Sequence, residues 1–270
     1  MNKPILDAQK LFSKGFLLND MIEGRLVNQF IKRFRENFLS VNLIRIGNGG
    51  DGSYLIPDIL TKISCCFSPG VCETIDFEKQ LSEDYGIKSF MIDASIGVLP
   101  FQDSNFTFER KFLGTRDEDN TITLNSWIGK HTKKEDNNLL LQMDIETSEY
   151  DVLAYESIET LKWFSCMVIE FHWFDQIFHP FFFKMVSGIF EKIFKEFSIC
   201  HVHPNNCCGI ASFDGVDIPR VFEVTFIRND MVEEVKSNNI VTLPHNLDID
   251  NAKHRPTIEM PSAWWQKVNI

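Results

Sequence analysis

The sequence predicts an α/β fold built on a mainly parallel sheet that is covered by helices. The apolar run Leu139–Met143 suits a strand buried on both faces, as in parallel sheets. A segment with helical spacing, 149–162, separates this run from a second buried run at 166–172. Strands that alternate with helices along a chain are typical of parallel α/β sheets. The long alternating run 221–228 is expected at the margin of the sheet.

Length and composition predict a globular chain with one main domain. The chain has 270 residues, of which 44% are hydrophobic and 24% charged, so it can bury one sizeable core. A net charge of -11 argues against a nucleic-acid partner, because phosphates are held by clustered Lys and Arg. Polar residues interrupt every long apolar block, so no membrane span is predicted. Seven cysteines and no signal-peptide core lead us to expect reduced thiols and a cytoplasmic location.

Residues 1–40 are predicted to form an N-terminal helical appendage, and residues 41–270 the main domain. Apolar residues recur in the appendage at three- and four-residue intervals, with Lys, Arg and Glu between them, as in amphipathic helices. Such helices could form a lid over a site or the surface of a homodimer. Packing on the main domain is the favoured interpretation.

A glycine-rich loop follows at 47–53. Gly49, Asp51 and Gly52 make a loop whose backbone can approach a ligand closely. The same residues also suit an ordinary hairpin turn. The loop alone therefore does not separate a binding site from a simple turn.

The run 63–67 is a short apolar strand, and an amphipathic helical pattern follows at 75–85. Between them lies the turn Ser68-Pro69-Gly70. A strand, a glycine-bearing turn and a helix form the first unit of a nucleotide-binding fold, in which the helix amino terminus attracts an anionic group. Because the turn lacks the full G-x-G-x-x-G pattern, it does not identify the ligand by itself.

A second strand at 88–93 ends in Asp93, about twenty residues after the glycine-bearing turn, which is the spacing of a carboxylate that binds ribose hydroxyls. The pattern at 107–113 predicts another strand, which ends at Gly114. Residues 121–128 are expected to begin a helix ahead of the central strand.

Polar side chains follow the two buried strands at their carboxyl ends. Asp144 and Glu146 come after the first of these strands, and Glu170 and His172 stand at the end of the second. Ligands of open α/β sheets bind beyond this edge, so these residues are placed where chemistry is expected. Asp144 could instead cap the helix that follows, but three carboxylates in one turn favour a site.

The last third of the chain predicts an apolar helix at 180–197, a strand at 198–203 and a largely irregular tail at 229–270. His201 and His203 point the same way on their strand, so one or both could face the site. They could equally be hydrogen-bonded histidines at a strand end. With Cys207 and Cys208 they do not match the usual zinc spacings. Neither G-x-S-x-G nor a Walker loop occurs.

Six motifs follow one another along the chain, at 47–54, 66–71, 76–78, 142–150, 168–172 and 201–209. Taken in this order, they resemble the FkbM-like family of S-adenosylmethionine-dependent methyltransferases. The similarity extends from about Leu43 to Trp265. One departure is Thr147, where members of the family commonly have glycine.

The resemblance implies a class I (Rossmann-like) methyltransferase sheet of about seven strands with an antiparallel last strand. It also implies S-adenosylmethionine as the cofactor. Family members of known role mostly methylate hydroxyl groups of sugars or secondary metabolites. An O-methyltransferase acting on a sugar, a glycan or a glycan precursor is therefore the leading hypothesis. The implied cofactor-binding residues are Gly49, Asp51, Gly52, Ser68, Pro69, Gly70, Asp93, Ser95, Gly114 and Asp144.

Methyl transfer needs an acceptor oxygen that is aligned behind the methyl group and relieved of its proton. His172 or His203 could take this proton directly, which is the preferred hypothesis. Alternatively, Asp144 and Glu170 could hold a divalent ion such as Mg²⁺, which would lower the pKa of the hydroxyl. The catalytic candidates are Asp144, Glu146, Glu170, His172 and His203.

Two other functions stay open. An NAD-dependent oxidoreductase on the same fold should show a fuller glycine fingerprint than this chain has. A non-catalytic cofactor-binding protein should have lost the carboxylates at the sheet edge, which are present here. The expected partner is a neutral or weakly charged small molecule or glycan. Trp173 could stack on its ring or belong to the core.

Overall fold

In the computed structural model, which describes residues 3–16, 18–133 and 136–266, a seven-stranded sheet forms the centre of the protein. In chain order its strands are β1 Cys65–Pro69, β2 Lys88–Ile92, β3 Phe106–Glu109, β4 Leu139–Met143, β5 Phe164–Phe171, β6 Phe197–Pro204 and β7 Phe222–Arg228. Across the sheet the order is β6-β7-β5-β4-β1-β2-β3. Strand β7 is antiparallel to both neighbours, and the other adjacent pairs are parallel. The predicted fold class is confirmed.

The strand order reverses between β1 and β4. From β1 the chain builds outward through β2 and β3, and then returns to place β4 on the other side of β1. The carboxyl ends of these parallel strands share one edge, and a crevice opens where the order reverses. Ligand binding is expected at this switch point.

Helices cover both faces of the sheet. Leu139 and Leu141 of β4 pack into the larger apolar cluster, whereas Leu140 packs into the smaller one on the opposite face. This alternation explains why the whole strand is apolar. No helix among residues 3–16, 18–133 and 136–266 has the length and apolar character of a membrane span. The helices are α1 Lys3–Phe12, α2 Gly24–Glu36, α3 Asp76–Tyr85, α4 Leu124–His131, α5 Ser148–Tyr155, α6 Ile158–Leu161, α7 Pro180–Ile193 and α8 Val232–Val235.

The amphipathic pattern of the first forty residues produces α1 and α2. In α2, Phe30 meets Phe190 of α7 edge to face at 5.3 Å, and Phe34 meets Trp264 at 5.0 Å between ring centroids. These rings belong to the larger apolar cluster. Helix α2 therefore packs in the core of the main domain, while the domain boundary after residue 40 stays a prediction.

The glycine-rich loop is the turn of a β-hairpin. Its strands, Leu43–Ile46 and Tyr54–Pro57, pair antiparallel. Thr225 of β7 donates its hydroxyl proton to the carbonyl oxygen of Leu55 at 2.7 Å, which fixes the hairpin on one face of the sheet. The turn thereby reaches the edge where the parallel strands end.

The expectations for 107–113 and 121–128 were wrong in part. Strand β3 ends at Glu109, and a separate pair of short strands, Phe112–Leu113 and Thr121–Ile122, follows. The β-branched residues at 121 and 122 favour this extended conformation. The helix begins only at Leu124, because the hydroxyl of Thr123 accepts a hydrogen bond from the N–H of Ser126 and caps it.

Candidate active site

Two cavities at the carboxyl edge of the sheet meet at three acidic residues. The first cavity has a volume of about 460 Å³ and the second about 700 Å³. Both are lined by Asp51 from the hairpin turn and by Asp144 and Glu146 after β4. The first cavity is also lined by Gly52, Tyr54, Gly70, Glu78, Asp93 and Ser95. The second is also lined by Glu170, His172, Trp173, Asn205, Cys207 and Cys208.

Gly70 forms the floor of the first cavity, directly after β1. Its φ is +84°, and a Cβ added there would lie 1.7 Å from the carbonyl oxygen of Asp144. The N–H of Gly70 donates to the carbonyl of Ile92, and the N–H of Asp144 donates to the carbonyl of Pro69. Three strand ends are thus held together at a point where only glycine fits.

Asp93 lies at the end of β2 with both carboxylate oxygens in use. Its Oδ2 accepts a hydrogen bond from the N–H of Cys72 at 2.9 Å. Its Oδ1 accepts from the N–H and the hydroxyl of Ser95 at 2.7 and 2.5 Å. A carboxylate has about four acceptor positions, so one remains for a ligand hydroxyl. Asp93 can therefore bind a ribose while it orders the surrounding loop.

Glu78 brings a buried carboxylate to the first cavity. It lies on the buried face of α3, four residues before Ser82, and is 2% exposed. Burial raises the pKa of Glu78 to about 7. Sequence reasoning included Glu78 in a motif without assigning it a role, although an acid on the buried face of a helix was the available signal. A buried carboxylate requires a partner, and a cationic ligand group would supply one.

Four carboxylates surround the imidazole of His172. Its Nε2 lies 3.6 Å from Asp144 Oδ1, 3.5 Å from Glu146 Oε2 and 3.8 Å from Glu170 Oε1. Its Nδ1 lies 3.3 Å from Glu149 Oε1. The structure therefore brings together four of the five predicted catalytic residues, around one ring nitrogen.

The backbone of His172 is held from α5. Glu149 accepts a hydrogen bond from the N–H of His172 at 2.7 Å, and the Tyr150 hydroxyl donates to its carbonyl oxygen at 2.6 Å. Burial alone would lower the pKa of His172, but Glu149 and Asp144 outweigh it and raise that pKa. Burial also raises the pKa of Asp144 to about 7. The sequence showed Glu149 as a third acid in the turn but not its contact with His172.

The other predicted site residues lie outside this constellation. Ser68 and Pro69 are buried and line neither cavity, and Gly114 lines a neighbouring cavity. Gly49 lines the second cavity rather than the first. His203 also lines neither, and its Nδ1 lies 3.7 Å from Asp248. Their predicted roles stay predictions.

A segment of the tail, residues 251–254, forms a wall of the second cavity, and Asp248 lies just before it. The N–H of Ala252 donates to the side chain of Asn206 at 2.8 Å, and Asn251 donates to Glu223 at 2.8 Å. Asp248 lies 3.0 Å from His201. The segment has no apolar periodicity, so sequence reasoning could not place it at the site.

Thr147 carries backbone strain in the turn after β4, because its φ is +85°. This left-handed conformation costs an L-residue about 1–2 kcal/mol, and a β-branched residue is rarely found there. Glycine avoids that cost but loses about 0.5–1 kcal/mol in chain entropy. We expect Thr147→Gly to raise the free energy of unfolding, measured in urea, by about 0.5–1 kcal/mol. Thr147→Ala is the control and should gain less stability. A loss of stability in Thr147→Gly would contradict backbone strain at this position.

The strand order, the crevice at the switch point and the acid after β2 define a cofactor-binding α/β protein of the class I methyltransferase type. Residues 57–228 match the sequence model of the methyltransferase FkbM domain, and the chain belongs to this family. The resemblance in the sequence is confirmed. Family membership implies S-adenosylmethionine as the methyl donor.

A solved structure from Listeria monocytogenes is also similar to this chain. It is a crystal structure with a provisional assignment as an S-adenosylmethionine-dependent methyltransferase. The two share 11% sequence identity with a TM-score of 0.35, over 63% of this chain and 93% of that chain. No curated protein matches the chain significantly. The family assignment rests on the match at 57–228.

Proposed function

We propose that the protein is an O-methyltransferase that transfers a methyl group from S-adenosylmethionine to a hydroxyl of a sugar, glycan or glycan precursor. The proposal rests on the two cavities that meet at Asp51, Asp144 and Glu146. One cavity suits the cofactor and the other the acceptor, so the methyl group would cross at the shared acids. Each volume lies within the range of about 300–1,000 Å³ that small-molecule sites occupy.

The cofactor would supply an electrophilic methyl group on a sulfonium. Around it, the backbone at Gly70 permits close approach and Asp93 offers an acceptor to a ribose hydroxyl. In the second cavity, the carboxylates and imidazole of the His172 cluster can align an acceptor hydroxyl and draw off its proton. Attack by a hydroxyl oxygen requires that the oxygen be aligned and its proton removed, and these groups can do both.

Two features support a sugar as acceptor. Trp173 is 49% exposed and lines the second cavity, where an aromatic ring can stack on a sugar. The carboxylates and the amide of Asn205 at the same cavity can hydrogen-bond to several hydroxyls at once. The net charge of -11 disfavours a polyanionic acceptor.

Cofactor binding provides the first test. Charge-assisted hydrogen bonds contribute about 1.5–3 kcal/mol each, so we expect Asp93→Ala to weaken S-adenosylmethionine binding roughly 10- to 100-fold in calorimetry. Asp103→Ala is a matched control. Asp103 also orders a loop, through the hydroxyl of Ser82 and the N–H of Asn105, but does not line the first cavity. Equal losses in both variants, or tighter binding of NAD, would contradict the proposal.

Acceptor identity requires a second measurement. Wild-type protein, S-adenosylmethionine and a panel of sugars and glycan precursors would be incubated and screened by mass spectrometry for the gain of one methyl group. We expect the gain on a hydroxyl-bearing carbohydrate, and it should fall with Asp93→Ala but not with Asp103→Ala. Transfer only to amines, proteins or nucleic acids would reject the proposed acceptor class.

A further inference from the structure

Carboxylates outnumber basic side chains in the cluster around His172. Asp144, Glu146, Glu149 and Glu170 each place an oxygen within 4 Å of the imidazole, at 3.3–3.8 Å. Within the part of the chain that the structure describes, no lysine or arginine forms an ion pair with any of these carboxylates. The carboxylates therefore present oxygens that no basic side chain of the described residues other than His172 pairs with, and a bound cation would supply a partner.

The buried carboxylate of Glu170 provides an independent indication of a ligand at this cluster. Its side chain is 3% exposed, and its Oε1 accepts a hydrogen bond from Asn205 at 2.9 Å. Its Oε2 is buried without a partner, and so is Oδ1 of Asp144. Both residues line the second cavity next to His172. A buried carboxylate oxygen without a partner is costly, so a ligand is expected at this point.

We propose that Asp144, Glu146 and His172 bind a divalent cation, Mn²⁺ or Mg²⁺, at the junction of the two cavities, with the carboxylate of Glu170 beside them. Ligand atoms of the Asp144, Glu146 and His172 side chains all lie within 4.8 Å of one another. Octahedral ligands at about 2.1 Å from an ion are roughly 3.0–4.2 Å apart. The separations from His172 Nε2 to Asp144 and Glu146, 3.6 and 3.5 Å, fall in this range. Glu170 Oε1 lies 3.8 Å from the same nitrogen, outside the group of three.

The donor types also select the ion. Two carboxylates and one imidazole, with a third carboxylate beside them, suit Mn²⁺ or Mg²⁺ better than a metal that prefers thiolates. Glu149, on the other ring nitrogen at 3.3 Å, occupies the place of the carboxylate that usually orients a metal-binding histidine. The sequence placed a possible ion at Asp144 and Glu170, and the structure adds Glu146 and His172 around the same point.

This inference deepens the proposed function and rests on it only for the role of the ion. A divalent cation beside the acceptor would orient its hydroxyl and lower the pKa of that hydroxyl. His172 would then be a ligand and not the base that was preferred from the sequence. Binding of the ion itself does not depend on the identity of the acceptor.

The test is a titration of the wild-type protein with Mn²⁺ alone, followed by electron paramagnetic resonance. The signal of free Mn²⁺ should fall as one ion binds per chain, and Mg²⁺ should displace it. Asp144→Asn and Glu170→Gln should each weaken binding at least tenfold. Glu223→Gln is the matched control, because Glu223 pairs with Glu170 across β5 and β7 and is equally buried, yet lines neither cavity. It should retain affinity within about threefold.

Folding of each variant would be verified by circular dichroism, and cofactor affinity by calorimetry. Absence of Mn²⁺ binding, or equal binding in Glu170→Gln and Glu223→Gln, would overturn the proposed site. Full methyl transfer after exhaustive chelation would overturn its role and leave direct proton transfer to His172. Failure of the proposed function is distinguishable, since Mn²⁺ would then bind as expected although no carbohydrate is methylated.

Discussion

Replacing Gly70 by alanine should destabilise the protein by about 3 kcal/mol or more and abolish cofactor binding. The methyl group would meet the carbonyl oxygen of Asp144 at 1.7 Å and its carbonyl carbon at 2.8 Å. These are backbone atoms, which no change of rotamer can move. The positive φ of +84° adds about 1–2 kcal/mol of strain for any L-residue. Relief of the clash would displace Asp144, which lines both cavities.

Gly86→Ala is the control for backbone strain without a clash. Gly86 also has a positive φ, +64°, but an added Cβ would have no atom within 4 Å. The Gly86→Ala variant should lose about 1 kcal/mol of unfolding free energy and keep its cofactor affinity unchanged. Urea denaturation and calorimetry with S-adenosylmethionine would measure both quantities. Similar losses of stability in the two variants would show that the contact with Asp144 is not the determining factor.

Four of the predicted site residues that line the two cavities share a position at the end of a strand. Asp144, Glu170 and His172 directly follow or end apolar runs, and Asp93 ends another. Because parallel strands end at a common edge, the sequence alone could bring these residues to one site. This prediction required only that each apolar run be recognised as a strand and that the strands be parallel.

His203 follows the same pattern in the sequence but lines neither cavity, and its predicted role stays a prediction. It also stands near the carboxyl end of an apolar strand, but β7 lies between β6 and β5. His203 is therefore paired in register with Glu223, and Glu223 with Glu170. The intervening strand moves His203 away from His172, and Asp248 covers it. Strand insertion and the path of the irregular tail depend on long-range packing, which local sequence patterns do not encode.

Replacing Glu78 by glutamine should stabilise the protein and at the same time weaken cofactor binding. Burial raises the pKa of Glu78 from 4.5 to about 7 and outweighs an opposing hydrogen bond with Ser68, so the charged form is disfavoured in the folded protein. The folded state then binds a proton more tightly than the unfolded state, and stability falls as pH rises from about 4.5 to 7. Each pKa unit corresponds to about 1.4 kcal/mol, so the loss above pH 7 is about 3 kcal/mol.

Glu78→Gln removes this loss because it carries no charge. Below pH 4.5 the variant and the wild type should be equally stable, and above pH 7 the variant should be about 3 kcal/mol more stable in urea denaturation. S-adenosylmethionine carries cationic groups that a carboxylate in the first cavity would attract, so its affinity at pH 8 should fall at least tenfold. Glu223→Gln, a buried acid outside the first cavity with a raised pKa, should gain stability without losing affinity. Unchanged affinity in Glu78→Gln would mean that Glu78 is buried for a reason other than the cofactor.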